Sequence, residues 1–332
     1  MRLTPFAALT VLALTTPWAG ARAGGEGTPK LALPLACDVG RNCEVQNYVD
    51  RDDGPGALDF HCGHRTYDKH DGTDIRVLDM AAQRSGVDVL AAAPGTVVAV
   101  RDGVPDISIR APGAPSVVGH ECGNRVGIAL GGGWIIDYCH LARGSLAVKV
   151  GDTVSVGQRL AQVGLSGQTE FPHLHFSVRH GTAVVDPFAP GPVAPPVCAS
   201  QAGLWTPVAA QALAYRRGAV LNVGFSAGLA SMDAVEEASI SPPKTTSSIV
   251  AYARLIGLEA DDVVEVSVIG PDGKVFVRDV LPALDHDKAQ WIVQAGRKAA
   301  PAGGWPHGAY SAQVQVRRGG AVALSRQWQM LL

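Results

Sequence analysis

VGIAL at 126–130, GGG at 131–133 and WIIDYCH at 134–140 form the stretch whose reading decides the fold. Two runs rich in β-branched and aromatic residues flank three glycines, so the chain reverses there and the runs pair as an antiparallel hairpin. Shorter runs of the same kind lie on both sides: VDVLAAAPGTVVAV at 87–100, with Pro94-Gly95 as a turn, VSVGQRLAQV at 154–163 and HLHFSV at 173–178. The pattern predicts an antiparallel, mainly β domain. Abundant Gly (39) and Pro (22) with few aromatics (6%) agree with short strands and tight turns rather than long helices.

Working outward, DPFAPGPVAPP at 186–196 packs five prolines into one short span. Proline cannot donate to a central strand, so this is a stiff, extended connector, with the linker itself at 191–200. Beyond it, strand-like runs at 219–225, 248–256, 263–269, 274–280, 310–316 and 321–330 are punctuated by PDG at 271–273 and GG at 319–320. Their spacing predicts a C-terminal immunoglobulin- or fibronectin-like β-sandwich over 201–332. A length of 332 residues accommodates two such domains.

The first residues, MRLTPFAALTVLALTTPWAGARA, hold one basic residue, an apolar stretch and an Ala-x-Ala ending at Ala23. They read as a signal peptide over 1–23, directing the chain to the periplasm or the extracellular medium. The apolar run is shorter than the roughly 20 residues a spanning helix needs and Pro17 interrupts it, so stable membrane insertion is not expected. The balance of 28 basic against 30 acidic residues offers no field to gather nucleic acid. Six cysteines, at 37, 43, 62, 122, 139 and 198, suit disulfides in an exported chain. Six cysteines allow 15 pairings; local spacing favours Cys37 with Cys43 and Cys122 with Cys139 across a hairpin, leaving Cys62 for Cys198. Thiolate zinc is disfavoured, because no C-x-x-C pair occurs.

Chemistry concentrates in three places: HDGTD at 70–74, YCHL at 138–141 and HLHF at 173–176. Residues two or four apart on a strand share a face, so His70 joins Asp74, and His173 joins His175. Zinc takes imidazole nitrogen and carboxylate oxygen, and catalytic zinc has three protein ligands and one open position. His70, Asp74 and His175 fill that quota. H-x-x-x-D alone is a common exposed turn, and H-x-H alone occurs in ordinary strands. Their combination with a third histidine is much harder to produce by chance. His61, His64, His120 and His180 lack such company and read as surface or structural groups, as do His286 and His307 in loop-like sequence.

The run YDKHDGTDI at 67–75, followed by VLAAAPGTVVAV, GNRVGIAL, IIDYCHL, VKVGDTVSVGQRLAQVGLSG, FPHLHFSVR and VVDPF, resembles the lysostaphin and LytM-type zinc metalloendopeptidases in order and spacing. The resemblance implies a LytM-type catalytic domain at 67–190, zinc held by His70, Asp74 and His175, and His140 and His173 as catalytic residues beside the open position. It implies cleavage of stem or bridge peptides in bacterial peptidoglycan. The alternative is a non-catalytic cell-wall regulator or wall-binding module that activates another hydrolase; such proteins are expected to lose ligands, and here the set is intact. The segment 24–66 is expected to pack on the catalytic domain, with 37–60 over its groove as an inhibitory or positioning arm. The insertion at 101–121 is expected to form a groove wall or lid, and the sandwich to hold the enzyme against the wall or a protein partner.

Overall fold

The structure, a computed structural model, describes residues 27–191, 198 and 203–332. The leader read at 1–23 and most of the connector read at 191–200 lie outside them. In chain order the first half contains β1 (Cys43–Asn47), β2 (Thr73–Val77), α1 (Met80–Ser85), β3 (Asp88–Leu90), β4 (Gly95–Arg101), β5 (Asn124–Gly131), β6 (Trp134–Leu141), β7 (Thr153–Val154), β8 (Arg159–Gln162), β9 (His173–His180) and β10 (Ala183–Val184). One antiparallel sheet runs β1-β2-β9-β6-β5-β4-β7, with β10 on the end of β9. β3 and β8 form a separate ladder.

Strand alternation separates chemistry from packing. On β9, Leu174, Phe176 and Val178 enter the core, as do Ile136 and Tyr138 on β6. Each such side chain, fully buried, contributes roughly 1.5–3 kcal/mol. The intervening residues, His173, His175 and Ser177 on β9 and Asp137 and Cys139 on β6, take the opposite face. The buried Tyr138 hydroxyl is satisfied by the Ala92 N–H at 2.9 Å. Three disulfides, Cys37–Cys43, Cys62–Cys198 and Cys122–Cys139, follow the pairing favoured by spacing.

One expectation needs correction. His70 is not on a strand with Asp74; β2 begins at Thr73, and His70 reaches the site from the preceding loop. The strand carrying His140, β6, flanks β9 on the side away from β2. The segment ahead of the groove supplies β1 to the sheet edge beside β2.

The second half contains α2 (Pro207–Ala212), β11 (Ala219–Ser226), α3 (Met232–Glu236), β12 (Ile249–Leu258), β13 (Val263–Ile269), β14 (Val275–Val280), β15 (Lys288–Arg297), β16 (Ala309–Arg318) and β17 (Ala321–Leu331). They make a three-stranded sheet, β11-β12-β15, and a four-stranded one, β14-β13-β16-β17. Leu255 and Val293 of the first share a core with Val266 and Val314 of the second. The halves meet at a buried charge cluster. Glu236 on α3 receives Arg76 of β2 at 2.9 Å and also Arg254 of β12, while Gln290 accepts from Arg76 at 2.7 Å. Both guanidinium groups are fully buried.

Glu236→Ala leaves two enclosed cations without their anion, so it should cost about 3–5 kcal/mol in denaturant unfolding. A loss below about 1 kcal/mol would assign the cluster the worth of a solvent-exposed pair. A second prediction concerns Asp186, just beyond β10, whose carboxyl is pushed up to about 6 by burial against the opposing pull of the Phe188 N–H and Arg51. Its folded value lies above the unfolded value of about 3.9, so the fold binds the extra proton and is favoured in acid. That contribution, roughly 3 kcal/mol, is lost as pH rises from about 4 through about 6. Relative to wild type, Asp186→Asn should flatten the fall of Tm across this window; identical slopes would refute the assignment.

Candidate metal centre

Three local features of the chain aim the site. Gly72 lets the loop carrying His70 pass over β9, since a Cβ there would lie 2.5 Å from His175 Nε2. Asp74 on β2 and His175 on β9 are directly paired across the antiparallel ladder. His140 adopts φ 59° where the β5–β6 register slips, with its N–H on the Cys122 carbonyl at 2.9 Å. Such a bulge re-aims a side chain. It turns the His140 ring toward His173 and His175, with centroids 4.6 and 5.9 Å away.

Backbone and carboxylate acceptors fix which ring nitrogens face one another. His70 Nδ1 meets the Tyr48 carbonyl at 2.6 Å, His140 Nδ1 the Ser166 carbonyl at 2.8 Å, and His173 Nδ1 the Phe171 carbonyl at 2.9 Å. A carbonyl only accepts, so each Nδ1 carries the proton and each Nε2 presents a lone pair when the ring is neutral. His175 is reversed: its Nε2 donates to Asp71 at 3.2 Å and its Nδ1 turns inward. The inward atoms converge, with Asp74 Oδ1 2.9 Å from His175 Nδ1 and 3.2 Å from His70 Nε2, and those two nitrogens 3.2 Å apart. Asp74 Oδ2 accepts from Asn47 at 3.0 Å.

The electrostatics suit a cation. Burial would raise the Asp74 carboxyl, but His70, His173 and His175 hold it well below the usual carboxylate range. Burial, with the neighbouring His173 and His175, holds His140 well below an ordinary histidine, so it is neutral at pH 7. Burial also depresses His175, yet Asp71 and Asp74 outweigh it and carry it up to about 9. In the metal-free protein the centre therefore shares a proton where ligand atoms converge.

The donor set fits zinc. Bonds of about 2.0–2.1 Å in a tetrahedron place ligand atoms about 3.3 Å apart, and the three observed separations are 2.9, 3.2 and 3.2 Å. Among the described residues, His70, Asp74 and His175 are the group able to hold a metal. The other histidines stand elsewhere: His61 stacks on Tyr215 and His180 on Trp134. Sequence reading passed over Asn47, Asp71 and the Tyr48, Ser166 and Phe171 carbonyls. Asp71 had a signal, an acid beside a ligand in HDGTD; a carbonyl acceptor leaves none.

A mainly antiparallel β-sheet bearing buried imidazoles and a carboxylate that converge beside a groove defines a metallopeptidase-like centre. Residues 68–187 match the model of Peptidase family M23, in line with the resemblance of the motifs in that stretch. It is similar to the cell division protein DipM of Caulobacter vibrioides, with 30% identity over 125 residues, 38% of this chain. That match spans only 17% of DipM. Similar solved structures include the catalytic domain of the M23 protein EnpA from Enterococcus faecalis, at 21% identity, 49% of this chain, 95% of that one and a TM-score of 0.32. The catalytic domain of the antimicrobial peptidase lysostaphin from Staphylococcus simulans follows at 24% identity, 42% of this chain, 85% of that one and a TM-score of 0.27.

Asp71 orients His175 from outside the cluster. Asp71→Asn should therefore weaken zinc binding by about tenfold, the low end of such outer contacts because Asp71 is half-exposed. Competition against a chromophoric chelator measures it, and unchanged affinity would deny Asp71 this role.

Proposed function

We propose that the protein is an exported zinc-dependent endopeptidase that hydrolyses peptide crosslinks of bacterial peptidoglycan, with zinc on His70, Asp74 and His175. The observation that carries this reading is the convergence of three lone-pair atoms at 2.9–3.2 Å inside the stretch that matches family M23. A bound zinc supplies Lewis-acid activation of a carbonyl and of water. The chain does the rest. Asp71 and the Tyr48 carbonyl hold the ligand rings in register, and Asn47 holds Asp74. His140, neutral and anchored through Nδ1, offers Nε2 as proton acceptor at the groove. His173, anchored likewise, presents its Nε2 3.4 Å from Asp74 Oδ1 and serves the oxyanion or the leaving amine. Export is supported by three disulfides, which persist in oxidising compartments. Among the described residues no helix is long and apolar enough to cross a membrane.

Purified walls of several chemotypes, digested by the zinc-loaded protein, should release new amine termini identifiable by mass spectrometry. His175→Ala and His140→Ala should each lower the rate by at least about 100-fold. Chelation should abolish turnover, and added zinc should restore it. Equal release by all three proteins would sink the enzymatic reading, and tight wall binding without release would favour a non-catalytic wall regulator.

A further inference from the structure

The groove floor beyond the ligand cluster carries charge that the sheet leaves unneutralised. The groove, about 460 Å³ in volume, extends from His140 and His175 past Ser177 to Arg125, Asp137 and Arg179. Asp137 is buried and paired with Arg179, so these two satisfy each other. Arg125 on β5 instead stands directly opposite Arg101 on β4. Opposed residues of an antiparallel pair share a face with Cβ atoms about 4.5–5.5 Å apart, and like charges so placed repel. The consequence is visible at Arg101, which burial and then Arg125 hold below the ordinary arginine value.

Glu121 offsets the repulsion at Arg101 only in part, pulling its value up by less than Arg125 pushes it down. Among the described residues neither arginine has a carboxylate within 4.0 Å. Arg101 spends its N–H groups on the carbonyls of Gly123 and Gly119, which ties it to the loop that ends at Cys122. Glu121, on the same wall, gives its carboxylate to the Gly119 N–H at 2.8 Å. The Arg125 guanidinium has neither hydrogen bond nor ion pair among the described residues. Beside it the floor is low, because Gly127 has no Cβ; one would sit 3.1 Å from Asp137 Oδ1 and 3.3 Å from Ala99 Cβ.

An anion is what such a pair lacks, and the planar fork of a guanidinium matches a carboxylate with two parallel hydrogen bonds. We infer that Arg125, backed by Arg101, is a specificity-determining residue that receives a free carboxylate of the peptide substrate, so the groove selects acidic peptides over uncharged bridges. This rests on the peptidase reading proposed above. A charge-assisted contact at a partly open site selects by about tenfold.

Cross-linked peptide dimers purified from digested walls test it, one sample with free carboxylates and one with these converted to carboxamides. The zinc-loaded full-length protein should cleave the free acid with kcat/KM about tenfold higher. Arg125→Gln should bring the ratio of the two substrates close to one, chiefly through KM on the acid, and Arg125→Lys should restore part of it. Calorimetric titration of both dimers into the His140→Ala protein should give the same preference in Kd. A wild-type ratio near one, or an Arg125→Gln protein impaired equally on both dimers, would overturn the carboxylate contact and leave the peptidase reading standing. Wild-type protein that cleaves neither dimer would remove the peptidase reading and this inference together.

Discussion

The enclosure of Asp74 among imidazoles is the constraint on which the rest of the molecule depends. A carboxylate taken out of water is costly unless it is hydrogen-bonded and paired. Here His175 reaches it across the ladder, His70 from the loop and Asn47 from the sheet edge. Removing any of these would take one partner from the buried carboxylate, so the loop, the β2–β9 register and the added strand β1 are coupled to one anion. A divalent cation at the same point would replace the shared proton and satisfy all three lone pairs at once.

The surrounding architecture holds that arrangement from two sides. At one end the Cys122–Cys139 bridge ties the entry of β5 to β6, next to the left-handed His140 backbone. At the other, Arg76 lies opposite His173 on β9 with its guanidinium 4.4 Å from the Phe171 ring centroid. Arg76 is also where Glu236 and Gln290 of the C-terminal half take hold. The second half therefore grips the strand that carries Asp74, and its attachment is built from buried charge rather than from a detachable surface contact.

Much of this is legible in the residues, for reasons that differ from place to place. β5, β6 and β9 are readable because one face of each is apolar and the glycine turn between the first two is explicit. The trio of His70, Asp74 and His175 is readable because imidazole and carboxylate recur at short, regular spacings, and the structure gathers their donor atoms within 4.8 Å. β2 escapes the same reading because TDIRV is buried throughout, with Thr73, Asp74 and Arg76 in positions where alternation expects apolar or exposed residues. β15 escapes because its inner face is only a short stripe of Trp291, Val293 and Ala295. Placing His70 on a strand fails for another reason: a spacing of four fits a strand, but the loop turns at Lys69 (φ 63°) and passes close over His175 at Gly72, achieving the same approach without one.

The match to the peptidase family begins at residue 68, yet two groups that steady its ligands, the Tyr48 carbonyl and the Asn47 amide, come earlier in the chain. A fragment excised along the border of sequence similarity would keep His70, Asp74 and His175 and forfeit the scaffolding that fixes the tautomer of His70. In this molecule the stretch that carries the similarity is smaller than the stretch that builds the centre.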